Sequence, residues 1–411
     1  MSRRSQSGGD GPRERLAHRL DHAISELADQ ATPMVVIDLD AFDANLADLT
    51  RRAAGTPIRL ASKSVRIPAL IRRALADPGV EGVLAYNVRE ALWLVGEGIT
   101  DDAVVAYPSV DRIALQQLAA DPVARTGVTV MIDSAAHLDI IDAARTEAGE
   151  PTAALRVAID VDAGLRWGST HVGPKRSPLF GADDVVALAR QVVRRGFVLD
   201  GVMTYEGQVA GVPDDVPGQR AKSFVVRKLK GASVSQLIAR RAAIANALAE
   251  VAELRFWNAG GSGSVESTVA DPVVTEVAAG SGLLVPSLFD HYQSFRPRPA
   301  AYFGVPVVRR PGPGVATVAG GGFVASGAAG KDRLPMPWAP GGLQLTGLEG
   351  AGEVQTPLTG PGADALKVGD WVWFRHAKSG ELAEHTNTVH LLRGEDIVDS
   401  VPSYRGLGKA W

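Results

Sequence analysis

The chain has 411 residues, 45% of them hydrophobic and 22% charged, with 43 Lys and Arg against 46 Asp and Glu and a formal net charge of -3. That balance excludes global disorder, a single small domain, and an overall electrostatic commitment to nucleic acid. There is no cysteine, which removes disulfides, thiolate metal sites and a cysteine nucleophile, and fits a reducing compartment.

The polar start MSRRSQSGGDGPRER lacks the apolar core of a signal peptide. Residues 1 to 12 read as a disordered tail. A helix is expected from Arg13 to Gln30, where Leu16, Leu20, Ile24 and Leu27 share one face. A short strand, Met34–Leu39, follows. Eight apolar runs then alternate with helical stretches: Ile58–Ser62, Gly82–Tyr86, Val104–Tyr107, Val128–Ile132, Leu155–Val161, Val198–Thr204, Leu254–Trp257 and Val273–Val277. The helical stretches include Pro68–Ala76, Val88–Glu97, Asp111–Leu118, Ala135–Thr146, Asp183–Arg195 and Ser233–Glu253. Eight strand–helix units over roughly 225 residues predict an α/β fold, a (β/α)8 TIM barrel. A doubly wound open sheet is the alternative, but no GxGxxG follows the first strand.

The segment Ala210–Ala232 is polar and basic and reads as a long functional or mobile loop. After Arg296 Pro and Gly become dense, and short strands replace helices: Pro306–Arg309, Val315–Ala319, Leu343–Leu345, Trp371–Phe374, Thr388–Leu392 and Asp396–Val401. The expected organisation is an N-terminal tail and helix over 1–31, a barrel over 32–295, and a mostly-β domain over 296–411. Met34–Leu39 precedes the eight-strand count and has the β domain as its alternative partner. No apolar run reaches the ~20 residues that span a bilayer, so no membrane partner is expected. The basic RKLK at Arg227–Lys230 reads as a solvated face rather than a nucleic-acid site.

Catalytic groups of such a barrel sit at the C-terminal strand ends, which carry the βα loops. The first strand ends in Lys63. A lysine closing an apolar strand points to the mouth, and a desolvated amine forms a Schiff base with a carbonyl. The seventh ends in Asn258-Ala259-Gly260-Gly261-Ser262-Gly263-Ser264, and the eighth runs on to Gly280-Ser281. Backbone N–H groups and hydroxyls of such turns cradle phosphate. The fifth carries Arg166, a fixed cation able to bond a phenolate. A lysine facing a phosphate cup is what pyridoxal phosphate needs. The alternatives at these positions are a solvated lysine, a flexible glycine turn and a surface ion pair.

Together these elements resemble the fold-type III pyridoxal-phosphate enzymes, the group of alanine racemase, D-threonine aldolase and D-serine dehydratase. Lys63 matches the family's Schiff-base lysine. VDAGLRWG is similar to its VD-x-G-x-x-R-x-G pattern, with Arg166 as the arginine. TYEGQ resembles the Y-x-G-H stretch of the aldolase–dehydratase branch, placing Tyr205 and Gln208 at the cofactor. NAGGSGS matches the phosphate turn, so Gly260, Gly261, Ser262, Gly280 and Ser281 are implied cofactor ligands. Ala278 stands where alanine racemases carry an arginine against the pyridine nitrogen, and Glu276 is a candidate to bond a protonated nitrogen instead.

In the C-terminal domain, GDWVWFRHAK resembles the segment in which that branch binds a divalent metal. His376 matches the histidine, but Lys378 replaces the second ligand, and a protonated lysine cannot ligate. No metal is therefore expected. Lys378 would polarise the substrate hydroxyl in its place, held by Glu353 and Glu384. A rewired metal site using His376 and His385 is the weaker alternative. The resemblance implies a homodimer and a small-molecule amino acid substrate of D configuration. It also implies a lyase that cleaves or dehydrates a β-hydroxylated D-amino acid through a Lys63 Schiff base, with His376, Lys378 and Glu353 assisting. A racemase is the alternative, with Tyr292 or Tyr302 of a partner copy as the second base. A non-catalytic pyridoxal-phosphate carrier is the alternative of another class. Composition and the absence of a leader suit a cytoplasmic protein.

Overall fold

The computed structural model describes residues 11–411. The tail expected for residues 1 to 12 thus lies almost wholly outside the described residues. The chain forms two compact units.

The first unit comprises Leu46–Gly282, Phe289–Arg296 and Trp411. Its strands are β1 (Ile58–Ala61), β2 (Val80–Ala85), β3 (Ala103–Val105), β4 (Val128–Ile132), β5 (Arg156–Asp160), β6 (Val198–Thr204), β7 (Phe256–Ala259) and β8 (Glu276–Ala279). They pair in parallel, in sequence order, and β8 returns to β1 to close the barrel. Such strands are buried on both faces, which is why they read as continuous apolar runs. Helices between them start where capping chemistry supplies a stop. Asn87 accepts the Glu90 N–H at 2.8 Å, Asp111 accepts that of Ala114 at 3.1 Å, and Pro68 and Pro122 open theirs. Inside the barrel, Val104, Met131, Ala158, Met203 and Phe256 form an apolar layer.

Two expectations need correction here. The seventh and eighth strands lie two or three residues further along than expected: Asn258 is a strand residue, and the eighth strand starts only at Glu276. Asn258 Nδ2 donates to Glu276 Oε1 at 2.8 Å, so both polar groups are satisfied inside the barrel. The segment Ala210–Ala232 is not one long loop, since a single helix runs from Arg220 to Leu248. Arg227 donates to the Asp214 carbonyl at 2.6 Å and Lys230 pairs with the Asp214 carboxylate at 2.9 Å. Two of the three RKLK charges are thereby used internally.

The second unit holds the described residues up to Asn45, together with Leu283–Leu288 and Pro297–Ala410. The strand Met34–Asp38 belongs to this unit, not to the barrel. It runs antiparallel to Ala301–Gly312 and parallel to Thr388–Arg393. The helix Pro12–Ser25 packs Leu20 and Ile24 against Met34, Val36, Tyr302, Trp373 and Leu392. Strands Met336–Ala339 and Gln355–Thr359 were not expected; Pro337 and Pro357 hide them by removing ladder donors. Among the described residues no helix is long and apolar enough to cross a membrane.

Candidate active site at the barrel mouth

β1 ends in a tight turn, Ser62–Ser64, that presents Lys63. Three contacts hold this turn. Ser62 Oγ donates to the Leu84 carbonyl at 3.2 Å, the Arg66 N–H to the Ser62 carbonyl at 3.0 Å, and Arg66 Nε to the Lys63 carbonyl at 3.0 Å. Arg66 has φ 55°, a conformation rarely adopted by a residue with a long side chain.

The half-buried Lys63 ammonium lies 3.4 Å from the Tyr107 hydroxyl, just beyond β3. Burial pushes the Tyr107 phenol up, but Lys63 and Arg176 outweigh it and hold the group below its usual range. The Arg176 guanidinium sits 5.4 Å from the Tyr107 ring and 5.5 Å from the Tyr205 ring, within cation–π range. Burial raises the Tyr205 phenol above its usual value. Asp160, at the end of β5, is pushed up to about 7 by burial and by Asp133 and Asp162, with Arg176 opposing.

Opposite the lysine, the loops after β7 and β8 form a cup. Gly260 turns at φ 83°, and a Cβ there would meet Thr268 Oγ1 at 2.9 Å. A Cβ on Gly280 would stand 2.5 Å from the Ala61 carbonyl. Glycine is therefore required at both positions. Ser262 Oγ accepts the Gly280 and Gly282 N–H groups at 3.3 and 2.9 Å, joining the two loops. Beneath them, Glu206 accepts the Gly260 N–H at 3.1 Å and the Thr268 hydroxyl at 2.7 Å, and Arg241 holds Glu206 at 3.0 Å.

A pocket with a cavity volume of about 120 Å³ lies between lysine and cup. Lys63, Tyr205, Gly260, Gly261, Ser262, Gly280 and Ser281 all line it, as does Ala278. The sequence reading missed Tyr107 and Arg176 in the lining, and Glu206 and Arg241 behind it. A signal for Glu206 existed, since it stands inside TYEGQ.

Other candidates lie elsewhere. Arg166 is outside the lining. The hairpin Leu165–Trp167/Thr170–Val172 turns it aside, to pair with Asp162 at 3.1 Å and stack on Phe180 at 3.7 Å. Arg176, after the hairpin, supplies the pocket's arginine instead. Gln208 is also outside, donating to the Ala163 carbonyl at 2.8 Å. Glu276 cannot serve a pyridine nitrogen, because both its oxygens accept from Arg59 at 2.7 Å. The Tyr292 and Tyr302 hydroxyls donate at 3.0 Å to the carbonyls of Ala210 and Pro299 within the same chain. Burial raises both phenols, Tyr302 to about 12. Both hydroxyls are thus engaged within their own chain.

In the second unit, His376 is buried beside Ser379 Oγ at 3.2 Å, and burial with Arg375 holds it down to about 3. Lys378 is not buried with it, and donates to Ser326 Oγ at 2.7 Å. Glu353 is exposed. His385 stacks on Phe323 at 4.2 Å. Among the described residues no group of three or more His, Cys, Asp or Glu side chains is arranged to hold a metal ion.

A closed eight-stranded barrel with a lysine after its first strand and a glycine–serine cup after its last two defines a class of enzyme-like scaffold. Within that class the chain belongs to the alanine racemase N-terminal domain family, whose model matches residues 37–284. It is 32% identical over 186 residues to D-threo-3-hydroxyaspartate dehydratase of Delftia sp. (strain HT23), covering 43% of each chain. It is 30% identical over 264 residues to D-threonine aldolase of Arthrobacter sp., covering 62% of this chain and 61% of the relative. The chain thus aligns with less than two thirds of either relative's length. Among solved structures, D-threonine aldolase from Filomicrobium marinum matches with a TM-score of 0.74 at 23% identity, covering 92% of this chain and 95% of the other. D-threo-3-hydroxyaspartate dehydratase from Delftia sp. HT23 matches with a TM-score of 0.68 at 22% identity, covering 91% and 97%. At these identities the structural matches bear on the fold alone.

Proposed function

We propose that the chain is a pyridoxal-phosphate-dependent lyase acting on a β-hydroxylated D-amino acid. The observation that carries this reading is the joint lining of one pocket by the Lys63 amine and the Gly260–Ser262 and Gly280–Ser281 turns. The residues suit the cofactor. The glycines at 260 and 280 leave space that a Cβ would fill, and Ser262 fixes the two loops together. Opposite them stand an amine and a fixed guanidinium. The kinship with an aldolase and a dehydratase supports the lyase reading.

In this reading the two turns would hold the cofactor's phosphate and Lys63 would hold its aldehyde end. Arg176, flanked by Tyr107 and Tyr205, presents positive charge to the pocket. When bound, the cofactor supplies an electron sink for charge developing at the substrate α-carbon. The Lys63 amine, once free, takes or returns a proton at that carbon. Tyr107, 3.4 Å away and held toward its ionised form, is placed to exchange that proton. Ala278 leaves the pocket without a cation at the position where a racemase carries an arginine. For the β-hydroxyl, the reading assigns polarisation to Lys378 rather than to a metal; stoichiometric metal in active protein would contradict that assignment. A homodimer in the cytoplasm is part of the same proposal.

The test is a screen of D-β-hydroxy amino acids in deuterated water with pyridoxal phosphate added. Release of an aldehyde with glycine, or of a 2-oxo acid with ammonia, supports the lyase. Formation of the L enantiomer with deuterium at the α-carbon, without carbonyl product, overturns it in favour of a racemase.

A further inference from the structure

A groove opens beside the lysine pocket, lined by Asp162, Arg166, Ser169, Thr170, Lys175 and Arg176 among others. Arg176 lines both spaces, so the groove begins where the pocket ends. Its charge is lopsided. Three permanent cations face it against one carboxylate, Asp162. That carboxylate is already spent: it pairs with Arg166 at 3.1 Å and His171 at 2.9 Å, and accepts the Gly164 N–H at 2.7 Å.

Lys175 and Arg176 make no ion pair or hydrogen bond with any described side chain; aromatic rings flank Arg176, and the carboxyl in its electrostatic reach, Asp160, is pushed toward its neutral form by burial. The backbone that carries them is nonetheless fixed. The buried Ser177 hydroxyl donates to the Asp160 carbonyl at 2.7 Å and accepts the Leu179 N–H at 3.1 Å, and Pro174 and Pro178 flank the pair. Two unneutralised cations on a pinned segment are preorganised for an anion. The hydroxyls of Ser169 and Thr170 add donors at the same groove.

We infer that this groove takes a second anionic group of the substrate, a carboxylate at the end of its side chain. The inference rests on the lyase reading and narrows it to acidic β-hydroxy-D-amino acids. The substrate's α-carboxylate cannot distinguish such a groove, because every amino acid carries one. A distal carboxylate can, and Lys175 is the residue that reads it, since it lines the groove and not the lysine pocket.

The experiment compares β-hydroxy-D-aspartate with β-hydroxy-D-asparagine on the full chain loaded with pyridoxal phosphate. The two differ by one charge at nearly constant shape. The expected result is a preference for the acid of about tenfold in kcat/KM, carried mainly by KM, that shrinks with added salt. Lys175→Gln should reduce that preference to less than about threefold. If neither compound is turned over, binding of D-aspartate against D-asparagine, read from perturbation of the bound cofactor's absorbance, carries the same comparison. Equal use of acid and amide by the wild-type chain, or a preference untouched by Lys175→Gln, overturns the groove assignment. Failure of the chain to acquire the lysine-linked absorbance at all would instead sink the lyase reading, so the two failures are separable.

Discussion

At the N-terminal end of the barrel, Arg59 joins Glu276 at 2.7 Å and Asp102 at 2.9 Å, and Arg255 joins Asp102 and Asp200, each at 2.7 Å. At the C-terminal end, Lys63 and Arg176 face a pocket with a phenol between them and no carboxylate bonded to either. Both ends are dense in charge, but one saturates it and the other leaves it open. Burial alone would lower the Arg59 and Arg255 pKa values. Their carboxylate partners overcome that and raise both, while holding Asp102 down. A closed set of partners marks a structural plug for the barrel floor. Open cations at the other rim mark a site awaiting an anion.

That contrast breaks most visibly at Arg59. Arg59→Met leaves Glu276 as a buried charge without its main partner, and should cost about 3–5 kcal/mol in urea unfolding. A loss below ~1 kcal/mol would mean that the floor network is not structural. At the open rim the expected sign is different. Arg176→Gln should weaken pyridoxal phosphate binding or turnover by roughly tenfold or more, while shifting stability by under ~0.5 kcal/mol. Arg166→Gln, outside the pocket, should change cofactor binding by less than about twofold. The reverse order of effects would return the pocket's arginine role to Arg166.

The smallest effect concerns Asp160. Its folded pKa of about 7 lies above the ordinary aspartate value of 3.8, so the folded state binds more protons between these values. Wild-type stability from this group is therefore full below pH ~4 and declines as pH rises through ~7. Asp160→Asn should gain on the order of 1–2 kcal/mol over wild type at pH 8 and nothing at pH 4, read from unfolding curves at the two pH values. An equal difference at both would contradict the burial account.

The barrel was legible because its eight strands are buried on both faces and read as apolar runs. Legibility failed where a polar residue is satisfied inside the fold, as at Asn258, which lies beyond the expected end of the seventh strand. It failed again where proline interrupts a ladder, at Pro337 and Pro357. Lys63 and the glycine–serine turns were legible because each lies directly at a strand end. Arg176 was not, because the Leu165–Val172 hairpin separates it from β5, and motif spacing pointed to Arg166. Glu206 and Arg241 were illegible as a pair, since only the fold brings them under Gly260. His376 and Lys378 are neighbours in sequence yet differ in environment, one buried and neutral, the other reaching Ser326.

Lys63 is the residue on which cofactor binding turns most. Borohydride reduction of the full chain incubated with pyridoxal phosphate, followed by peptide mass mapping, tests it directly. The expected result is a single reduced pyridoxyl group on Lys63, with Lys63→Ala losing both that label and all carbonyl-forming activity. Labelling spread over surface lysines, or unchanged activity in Lys63→Ala, would contradict it.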